Sequence, residues 1–520
     1  MPVNLQARTF TNEPFTEWTP ENRRAFEQAL KDVRARSGKT HPMWIDGEEV
    51  VDRPLFESID PSEPTHILGR FPLGTIADAD RAIEAAYRTF PQWSKVSWER
   101  RAQYLLDAAK LMRARKHHFS ARMVYEVGKN WAEADGDTAE AIDFLEFYAL
   151  EALRYGGPDP SRVTPIAGER NELLYLPLGV GAVIPPWNFP LAILTGMTTA
   201  ALVTGNTVIL KPASDSAAIA ADLVSLLREV GIPAGVLNFV TGGGSTIGNR
   251  LVESAKVRFV AFTGSKEVGI QIHERAAKVH PGQLWLKRTI LEMGGKDAII
   301  VDRDCDLDVA AKAVAASAFG YQGQKCSACS RAIVDTAVYD EFIPKLKKEV
   351  EAITVGPAER NPSMGPVINE GARRKILEFI EAGKREGKLL TGGGVAPGAG
   401  WFLQPTVIID VPDTGKIAQE EIFGPVLAVI RAKDFGDALR IANGTEFGLT
   451  GAVFTRDEKK LARARDEFFV GNLYLNRKCT GALVGAHPFG GFNMSGTDSK
   501  AGGRDYLGLF LQAKSVSRKV

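Results

Sequence analysis

The stretch FGYQGQKCSACSR, residues 319–331, places a cysteine after a Gly-Gln turn that follows an alanine-rich helical run. A thiolate attacks carbonyl carbon well where cations, a helix end or backbone N–H groups favour the ionised form, so Cys326 is a candidate nucleophile. Lys325 is the only cation beside it in the sequence, and no histidine is near, so the residues leave the activation of the thiol open. Two alternatives remain: a buried apolar cysteine, and a redox pair with Cys329 in a C-x-x-C arrangement.

A carboxylate and an amide occur in two further motifs that suit chemistry on a carbonyl. In LEMGGK, Glu292 follows an apolar strand, and apolar surroundings raise the pKa of a carboxyl group towards the range that a general base for water needs. In PPWNFP, the Asn188 amide lies between rigid prolines and aromatics, which suits a preorganised oxyanion donor. The alternatives are a surface glutamate and an asparagine that caps the helix beginning near Leu191.

Three turns are candidates for binding a dinucleotide. TGGGSTIG, residues 241–248, fails the G-x-G-x-x-G pattern because position 247 is isoleucine. FTGSKEVG, residues 262–269, follows an apolar strand and opens a helix, where backbone N–H groups can hold a pyrophosphate; the alternative is a simple turn with Ser265 as N-cap. Lys211 stands at the carboxyl end of a strand and could donate to a ribose or a phosphate.

The elements that must position these residues alternate between strands and helices. Short apolar strands are predicted at 176–185, 207–211, 237–241, 258–263 and 298–302, and helices at 191–203, 217–230, 246–255, 266–278 and 307–319. This alternation predicts an α/β fold with doubly wound, mostly parallel sheets, in which ligands bind beyond the carboxyl ends of the strands. Before it we expect a capped helix after Thr19, a hairpin at 43–51, and a helical region at 77–155 broken at Pro91 and Gly128.

Composition limits the classes of function. The chain of 520 residues suggests two or three domains, and its net charge of +1 gives no reason to expect nucleic acid or a membrane as partner. The uncharged stretch 173–210 is broken by prolines and glycines, the first residues lack the features of a secretory signal, and four cysteines in all fit a reducing, cytoplasmic location. The adjacent pair His117-His118 has no partner at ligand spacing, so we expect it at the surface and expect no metal site.

Seven motifs in order over roughly residues 60–515 resemble the NAD(P)-dependent aldehyde dehydrogenase superfamily: PWNFP, LKPAS, FTGSKEVG, LEMGGK, GQKCSACSR, EEIFGPV and PFGG. The resemblance implies a cofactor domain and a catalytic domain with doubly wound parallel sheets, plus a small β oligomerisation flap. It implies that Cys326 is the nucleophile, that Glu292 is the general base, and that Asn188 and the backbone N–H of Cys326 are the oxyanion donors.

The same resemblance implies NAD as cofactor, with NADP possible. It places Lys211 on the adenosine ribose, Gly264 and Ser265 near the pyrophosphate, and Glu421 and Phe423 at the nicotinamide ribose. The other cofactor positions that it implies are Pro186, Trp187, Ser214 and Gly294. Many members have glutamate where this chain has Ser214, and that carboxylate would repel a 2′-phosphate, so the choice between NAD and NADP stays open.

Within the superfamily, GQKCSACSR, TGALVG at 480–485 and the extended N-terminal segment resemble the branch that oxidises L-glutamate γ-semialdehyde, formed from 1-pyrroline-5-carboxylate, to L-glutamate in proline catabolism. This implies a thiohemiacetal and a thioester on Cys326. It also implies that Ser327, Gly481 and Ala482 hold the substrate carboxylate, that Glu140 is near its ammonium group, and that Phe189 and Phe489 line the substrate site.

Other functions remain as alternatives. They are a dehydrogenase for another small semialdehyde, a CoA-acylating aldehyde dehydrogenase, a thiol-disulfide oxidoreductase and a non-catalytic structural protein on a recruited fold. The presence of Glu292 favours hydrolysis over transfer to CoA, because members of the CoA-acylating branch lack a glutamate there.

The resemblance also suggests domain limits and partners. We expect a cofactor domain at 1–156 and 178–289, a catalytic domain at 290–485, and an oligomerisation flap and C-terminal tail at 157–177 and 486–520. We expect a hairpin near 157–177 and the C-terminal tail together to build a homodimer, and a proline dehydrogenase is a possible partner.

Overall fold

The computed structural model of the chain describes residues 9–157 and 159–520. It begins with α1 (Pro20–Ala35), in which Thr19 caps the N-terminus and Phe26, Leu30 and Val33 are buried, as predicted. Five strands follow: β1 (Lys39–Thr40), β2 (Met43–Ile45), β3 (Glu48–Val50), β4 (Leu55–Asp60) and β5 (Glu63–Pro72). The predicted hairpin is confirmed as β2 and β3, and β4, β5 and β1 form a separate three-stranded sheet.

Four helices occupy the region that was predicted to be helical: α2 (Ile76–Trp93), α3 (Trp98–Ala114), α4 (Lys116–Val127) and α5 (Trp131–Tyr155). Gly128 ends α4 with a left-handed φ of 67°, as predicted. The break predicted at Pro91 is wrong by a few residues, because this proline lies inside the last turn of α2. The His117-His118 pair is half-buried rather than at the open surface, and His118 Nε2 lies 3.4 Å from an Asp222 carboxylate oxygen.

The next elements build the first large sheet: β6 (Glu169–Pro177), β7 (Val180–Ile184), α6 (Ala192–Val203), β8 (Thr207–Leu210), α7 (Ala217–Glu229), β9 (Leu237–Phe239), α8 (Asn249–Glu253), β10 (Val257–Thr263), α9 (Lys266–Ala277) and β11 (Arg288–Glu292). The strand order is β11-β10-β7-β8-β9-β2-β3, and the first five strands are parallel. The single strand predicted at 176–185 is wrong. Gly179, with a φ of 144°, turns the chain between β6 and β7, and β6 leaves this sheet.

The remaining elements build the second large sheet and the end of the chain: β12 (Ala298–Val301), α10 (Leu307–Phe319), β13 (Arg331–Asp335), α11 (Tyr339–Glu351), α12 (Glu370–Glu386), β14 (Lys388–Thr391), β15 (Thr406–Ile409), α13 (Lys416–Gln419), β16 (Val426–Ala432), α14 (Phe435–Asn443), β17 (Phe447–Gly448), β18 (Thr450–Phe454), α15 (Glu458–Glu467), β19 (Asn472–Leu475), β20 (Phe492–Asn493) and β21 (Leu511–Lys519). The strand order is β14-β15-β16-β13-β12-β18-β19, and only the pairing of β14 is antiparallel. Both large sheets therefore have the predicted α/β character.

Two pairings bear on the predicted domain limits. β6 pairs antiparallel with β21, from Leu511 opposite Pro177 to Lys519 opposite Glu169, which joins the two segments, 157–177 and 486–520, that were expected to form one unit. The hairpin expected near 157–177 is wrong, because the partner strand of β6 comes from the C-terminal tail. The edge groups of β6 are satisfied by a strand more than 300 residues later, which local sequence cannot indicate. The limit at 289/290 falls inside β11, whose residues 288–292 all pair with β10.

Among the residues that the structure describes, every helix is too short or too polar to cross a lipid bilayer.

Candidate active site

A cavity of about 720 Å³ lies at the carboxyl ends of the parallel strands of the first sheet. The segments that follow β7, β8, β9, β10 and β11 all contribute to its wall, and Cys326 and residues 421–423 close it from the other sheet. This is where the sequence placed the ligand site, because parallel strands present their carboxyl ends at one edge.

Cys326 follows a tight turn, Gly320–Gly323, that is held by other parts of the chain. Tyr321 and Gln322 both have a positive φ, 50° and 57°, a conformation that non-glycine residues rarely adopt. The buried Gln322 amide donates to Gly128 O at 3.0 Å and Pro366 O at 2.8 Å, and its oxygen accepts from Gly365 N at 3.0 Å. These three hydrogen bonds fix the turn before Cys326.

The surroundings of the Cys326 thiol disfavour its ionised form. Burial raises the pKa of Cys326 well above its ordinary value, the charges of Asp297 and Glu421 raise it further, and the backbone of Ser327 acts in the opposite direction. The side chain of Lys325 binds Glu133 at 2.7 Å. These surroundings therefore favour the protonated thiol of Cys326 over the thiolate.

Glu292 ends β11 and carries a carboxyl group of raised proton affinity. Burial raises the pKa of Glu292 to about 8, as the apolar sequence around it predicts. The Ser499 hydroxyl donates a short hydrogen bond to Oε1. Oε2 is buried and has no hydrogen-bond partner among the described residues. A carboxyl group with a pKa near 8 and one free oxygen suits a general base.

Asn188 lines the same cavity as Cys326 and is 4% exposed. Its amide donates to Gln324 O at 3.1 Å, which ties it to the turn that carries the nucleophile. The alternative that Asn188 caps α6 is wrong, since that helix has no side-chain cap, and Ala192 N instead donates to Asp137 Oδ1 at 2.7 Å.

The residues predicted for the dinucleotide line the cavity, with one exception. Lys211 is buried and donates to Pro212 O at 2.7 Å, and burial lowers its pKa to about 8. Ser265 caps α9 by accepting from Val268 N, and it also lines the cavity, so the two predicted alternatives are compatible. Pro186, Trp187, Gly264 and Gly294 also lie in the wall. Ser214 is exposed and outside the cavity wall; only its neighbour Ala213 reaches it.

Glu421 and Phe423 close the cavity opposite the first sheet. Glu421 Oε1 accepts from Gly295 N at 3.0 Å, and burial raises the pKa of Glu421. A Cβ at Gly294 would lie 2.4 Å from Glu421 Oε2, so a larger residue there would displace the Glu421 carboxylate. Phe423 has a φ of 59° and packs edge-on against Trp187, with ring centroids 5.4 Å apart.

The six residues predicted for the substrate lie outside the wall of this cavity. Ser327 follows the nucleophile and is 8% exposed, and Gly481 and Ala482 belong to the loop after β19, where Arg477 donates to Gly481 O at 3.1 Å. Phe489 is half-buried and pairs through its backbone with Ala501.

Phe189 and Glu140 share a buried lysine that the sequence did not single out. Lys129 Nζ lies 3.9 Å from the centroid of the Phe189 ring and 3.0 Å from Asp137 Oδ2. Burial and the neighbouring charge of Asp137 raise the pKa of Glu140 to about 8, while Lys129 lowers it.

Part of the cavity wall is formed by residues that were not predicted from the sequence. Gly244 and Ser245, in the turn TGGGSTIG, line it even though this turn fails the glycine fingerprint. The signal for this part of the wall was the run of glycines after a parallel strand, which was set aside because it does not have the exact G-x-G-x-x-G spacing. Asn369 and Lys375 line it from α12 and the loop before it, which no local motif indicates.

The C-x-x-C alternative depends on where the second thiol lies. Cys329 is buried and its thiol donates to Arg331 O at 3.4 Å, while burial and the neighbouring Cys479 raise its pKa well above the ordinary value. In the described part of the chain, no group of three or more histidine, cysteine or acidic residues is arranged to hold a metal ion.

A cysteine and a carboxyl group beside a cleft at the strand ends are the features that the aldehyde dehydrogenase superfamily resemblance predicted, and comparison with known proteins agrees. The sequence model of the aldehyde dehydrogenase family matches residues 44–516. The chain belongs to the aldehyde dehydrogenase family.

The individual relatives are more specific. The chain is 54% identical, over 98% of its length and 99% of the relative, to a 1-pyrroline-5-carboxylate dehydrogenase of Geobacillus sp. (strain WCH70). A solved 1-pyrroline-5-carboxylate dehydrogenase from Thermus with bound NAD is 50% identical, with a TM-score of 0.97 over 99% of this chain and all of that one. Proline utilization A from Bdellovibrio bacteriovorus is 45% identical, with a TM-score of 0.96 over 98% of this chain and 53% of the other. The predicted branch of the family is confirmed by these relatives.

Proposed function

We propose that the protein oxidises L-glutamate γ-semialdehyde, the open-chain form of 1-pyrroline-5-carboxylate, to L-glutamate in proline catabolism, with NAD as the hydride acceptor. The observation that carries the proposal is that Cys326 and Asn188 share one cavity at the strand ends, and that Glu292, which acts electrostatically on the Cys326 thiol, ends a strand of the same sheet. The names of the relatives support the substrate.

The residues present fit a dinucleotide. Lys211 is buried at the end of β8 with a backbone carbonyl as its hydrogen-bond partner, so its remaining N–H groups are free to donate to a ribose. The N-terminus of α9 begins at the cavity wall, where its backbone N–H groups favour a pyrophosphate. Glu421, with one oxygen bound to Gly295 N, has the other for a ribose hydroxyl. NAD, when bound, supplies the acceptor for a hydride.

The first half of the reaction is carried by Cys326 and Asn188. Cys326 releases its proton to water, and Sγ bonds to the aldehyde carbon. The Asn188 amide and the backbone N–H of Cys326 stabilise the oxyanion of the thiohemiacetal. Loss of hydride from the former aldehyde carbon leaves a thioester on Cys326.

The second half is hydrolysis, for which Glu292 is the base. Glu292 takes a proton from water, the resulting hydroxide attacks the thioester carbon, and the C–S bond breaks. The acid leaves and Cys326 is restored as a thiol. A pKa near 8 lets Glu292 accept this proton near neutral pH.

Specificity for the semialdehyde is assigned to the groups beyond the nucleophile. The Ser327 hydroxyl and the backbone N–H groups of Gly481 and Ala482 would hold the substrate carboxylate. Glu140 would pair with its ammonium group, and Phe189 and Phe489 would pack on its chain. A short, charged substrate is better fixed by such donors than by an apolar tunnel.

Assembly, location and pathway partner are further parts of the proposal. We place the protein in the cytoplasm, because its four cysteines are all free thiols. The two-stranded ribbon of β6 and β21 is stable only when its faces are covered, which supports a homodimer. A proline dehydrogenase would supply the substrate, and the likeness to about half of proline utilization A supports this link.

The test is the rate of NADH formation with glutamate γ-semialdehyde, succinate semialdehyde and acetaldehyde, with NAD and NADP in parallel and with and without CoA. We expect the highest kcat/KM with glutamate γ-semialdehyde, and glutamate as product whether or not CoA is present. Ser327→Ala should lower kcat/KM for this substrate about tenfold or more while changing acetaldehyde oxidation little, as loss of one hydrogen bond to a charged group predicts. A preference for either other aldehyde would overturn the substrate assignment, and a CoA thioester product would overturn hydrolysis.

A further inference from the structure

The catalytic glutamate is supported by a segment more than 200 residues later in the sequence. Residues 495–497 run beside β11, where Met293 N donates to Ser495 O at 2.8 Å and Thr497 N donates to Leu291 O at 2.9 Å. Glu292 itself forms an antiparallel bridge with Gly496. The backbone of Glu292 is thus fixed by this C-terminal segment as well as by its own sheet.

The side chain of Glu292 is held asymmetrically. The Ser499 hydroxyl donates to Oε1, and Ser499 is 4% exposed. Gly490 leaves the space for this contact, since a Cβ there would lie 3.0 Å from Glu292 Oε1 and 2.7 Å from Lys500 N. Oε2 is buried with no partner among the described residues. A buried carboxylate oxygen without a hydrogen bond costs free energy. An arrangement that holds Oε1 and leaves Oε2 without a partner therefore calls for a functional explanation.

The backbone around Ser499 is itself in an unusual conformation. Asp498 and Lys500, on either side of Ser499, both have a positive φ, 51° and 52°. Lys500 Nζ donates to Gly471 O at 2.7 Å and to Gly490 O at 2.8 Å, which holds this conformation. Conformations of this kind cost energy and persist where the surroundings impose them, often next to a functional group.

We propose that Ser499 is a positioning residue for the hydrolytic step: its hydroxyl holds Glu292 Oε1 and so presents Oε2 as the oxygen that takes the proton from water. This inference rests on the proposed function, in which Glu292 is the base. Ser499 does not contact the substrate. It sets the direction and the proton affinity of the carboxylate that does the chemistry.

The other charged and titratable groups near Glu292 do not replace this contact. Lys500 lowers the pKa of Glu292 through its charge, and the backbone of Ser499 and Gly491 lowers it as well. Cys326 and Tyr506 are the titratable neighbours on the other sides. Burial acts in the opposite direction and dominates. Of these groups, the Ser499 hydroxyl makes the side-chain hydrogen bond that favours the ionised carboxylate, so its removal should raise the pKa of Glu292.

The test separates hydride transfer from hydrolysis in Ser499→Ala. The rate of the first turnover of NADH formation should stay within about twofold of the wild type, because Cys326 and Asn188 are untouched. The acid limb of the kcat profile should move up by about one pH unit, and at a pH below that limb kcat should fall about tenfold, since one unit of pKa changes the deprotonated fraction tenfold. Ser499→Thr should restore the wild-type profile because it keeps the hydroxyl.

Ser495→Ala is the matched control. It removes a buried hydroxyl from the same segment, one that accepts from Gly448 N at 3.0 Å and does not touch Glu292. It should lower stability without moving the acid limb. If Ser499→Ala does not fold, Ser499→Cys keeps a weak donor of similar size and should show a smaller shift in the same direction.

The outcomes distinguish a failure of the proposed function from a failure of the positioning role of Ser499. A wild-type protein that forms no NADH with the aldehydes, or a Glu292→Gln variant with normal hydrolysis, would remove the proposed function. If Glu292→Gln stops hydrolysis but neither Ser499→Ala nor Ser499→Cys moves the acid limb, the positioning role of Ser499 is wrong.

Discussion

The charges around a carboxylate, more than its residue type, decide what it does in this protein. Burial raises the pKa of Glu133, but the charges of Lys325 and Lys129 outweigh burial and the pKa is lowered overall. Burial also raises the pKa of Glu292, where one lysine and a few hydrogen bonds are too weak to reverse it. Glu133 therefore stays ionised as an ion-pair partner, whereas Glu292 can exchange a proton near neutral pH.

At the residue scale, the two cysteines of C-x-x-C have different expected roles. Cys326→Ala should abolish NADH formation, because the sulfur that carries the thioester is gone. Cys329→Ala should keep most of the activity, because this thiol is buried beside Cys479 and outside the cavity wall. Steady-state assays of both variants check this. If Cys329→Ala were as inactive as Cys326→Ala while still folded, the thiol-disulfide alternative would be favoured.

The proposed catalytic residues are the part of the candidate site that the sequence singles out most directly. Cys326, Glu292 and Asn188 each lie in a short motif whose composition is unusual without any knowledge of the fold. Ser499 and Lys129 could not be predicted in this way, since a single serine or lysine gains its role only from contacts made across the chain.

At the scale of elements, the turn Gly320–Gly323 is held against its own conformational preference. The Gln322 amide makes three hydrogen bonds to backbone groups of two distant segments, at Gly128 and at Gly365 and Pro366. Without them, two consecutive residues with positive φ would relax and Cys326 would lose its position.

Gln322→Ala should therefore destabilise the protein and lower its activity. We expect a loss of about 3 kcal/mol in the free energy of unfolding, because three buried backbone groups would lose their partner. Urea unfolding of the variant measures this. Gln28→Ala, an exposed position on α1, is the control and should change the free energy of unfolding by less than about 0.5 kcal/mol. An equally small change at Gln322 would show that the turn does not depend on this side chain.

The elements were predictable where their periodicity is local. The strands β8, β10 and β12 fall where their apolar runs predicted them. The misjudged strand at 176–185 shows the limit: β6 ends in an apolar run that lies close to the apolar β7, and the two strands pair in different sheets.

At the scale of the whole molecule, the alternation of strands and helices correctly gave two parallel sheets with a ligand site at the strand ends. The resemblance grouped 157–177 with the C-terminal tail, but local sequence does not indicate that β6 pairs with β21, because antiparallel pairing of distant strands depends on where the fold brings them together. The ribbon that they form exposes apolar side chains, with Leu176 at 38%.

Removal of residues 511–520 should leave a folded chain that no longer forms the proposed homodimer. β6 would lose its whole hydrogen-bonding partner, and the surface that a second copy would cover would be disordered. Light scattering gives the molar mass, and circular dichroism checks that the large sheets persist. Lys514→Ala, an exposed side chain on β21, is the control and should keep the assembly of the full chain. A truncated chain with the same molar mass as the full chain would contradict this account.

The bridge between Glu292 and Gly496 also has a consequence for biosynthesis. A ribosome completes every strand of the first sheet, and then Cys326 and residues 421–423, which close the cleft, before it adds the residues that support the base. A nascent chain at that stage would lack the means to discharge an acyl group. The arrangement of Glu292 described above is therefore assembled only when translation is almost finished.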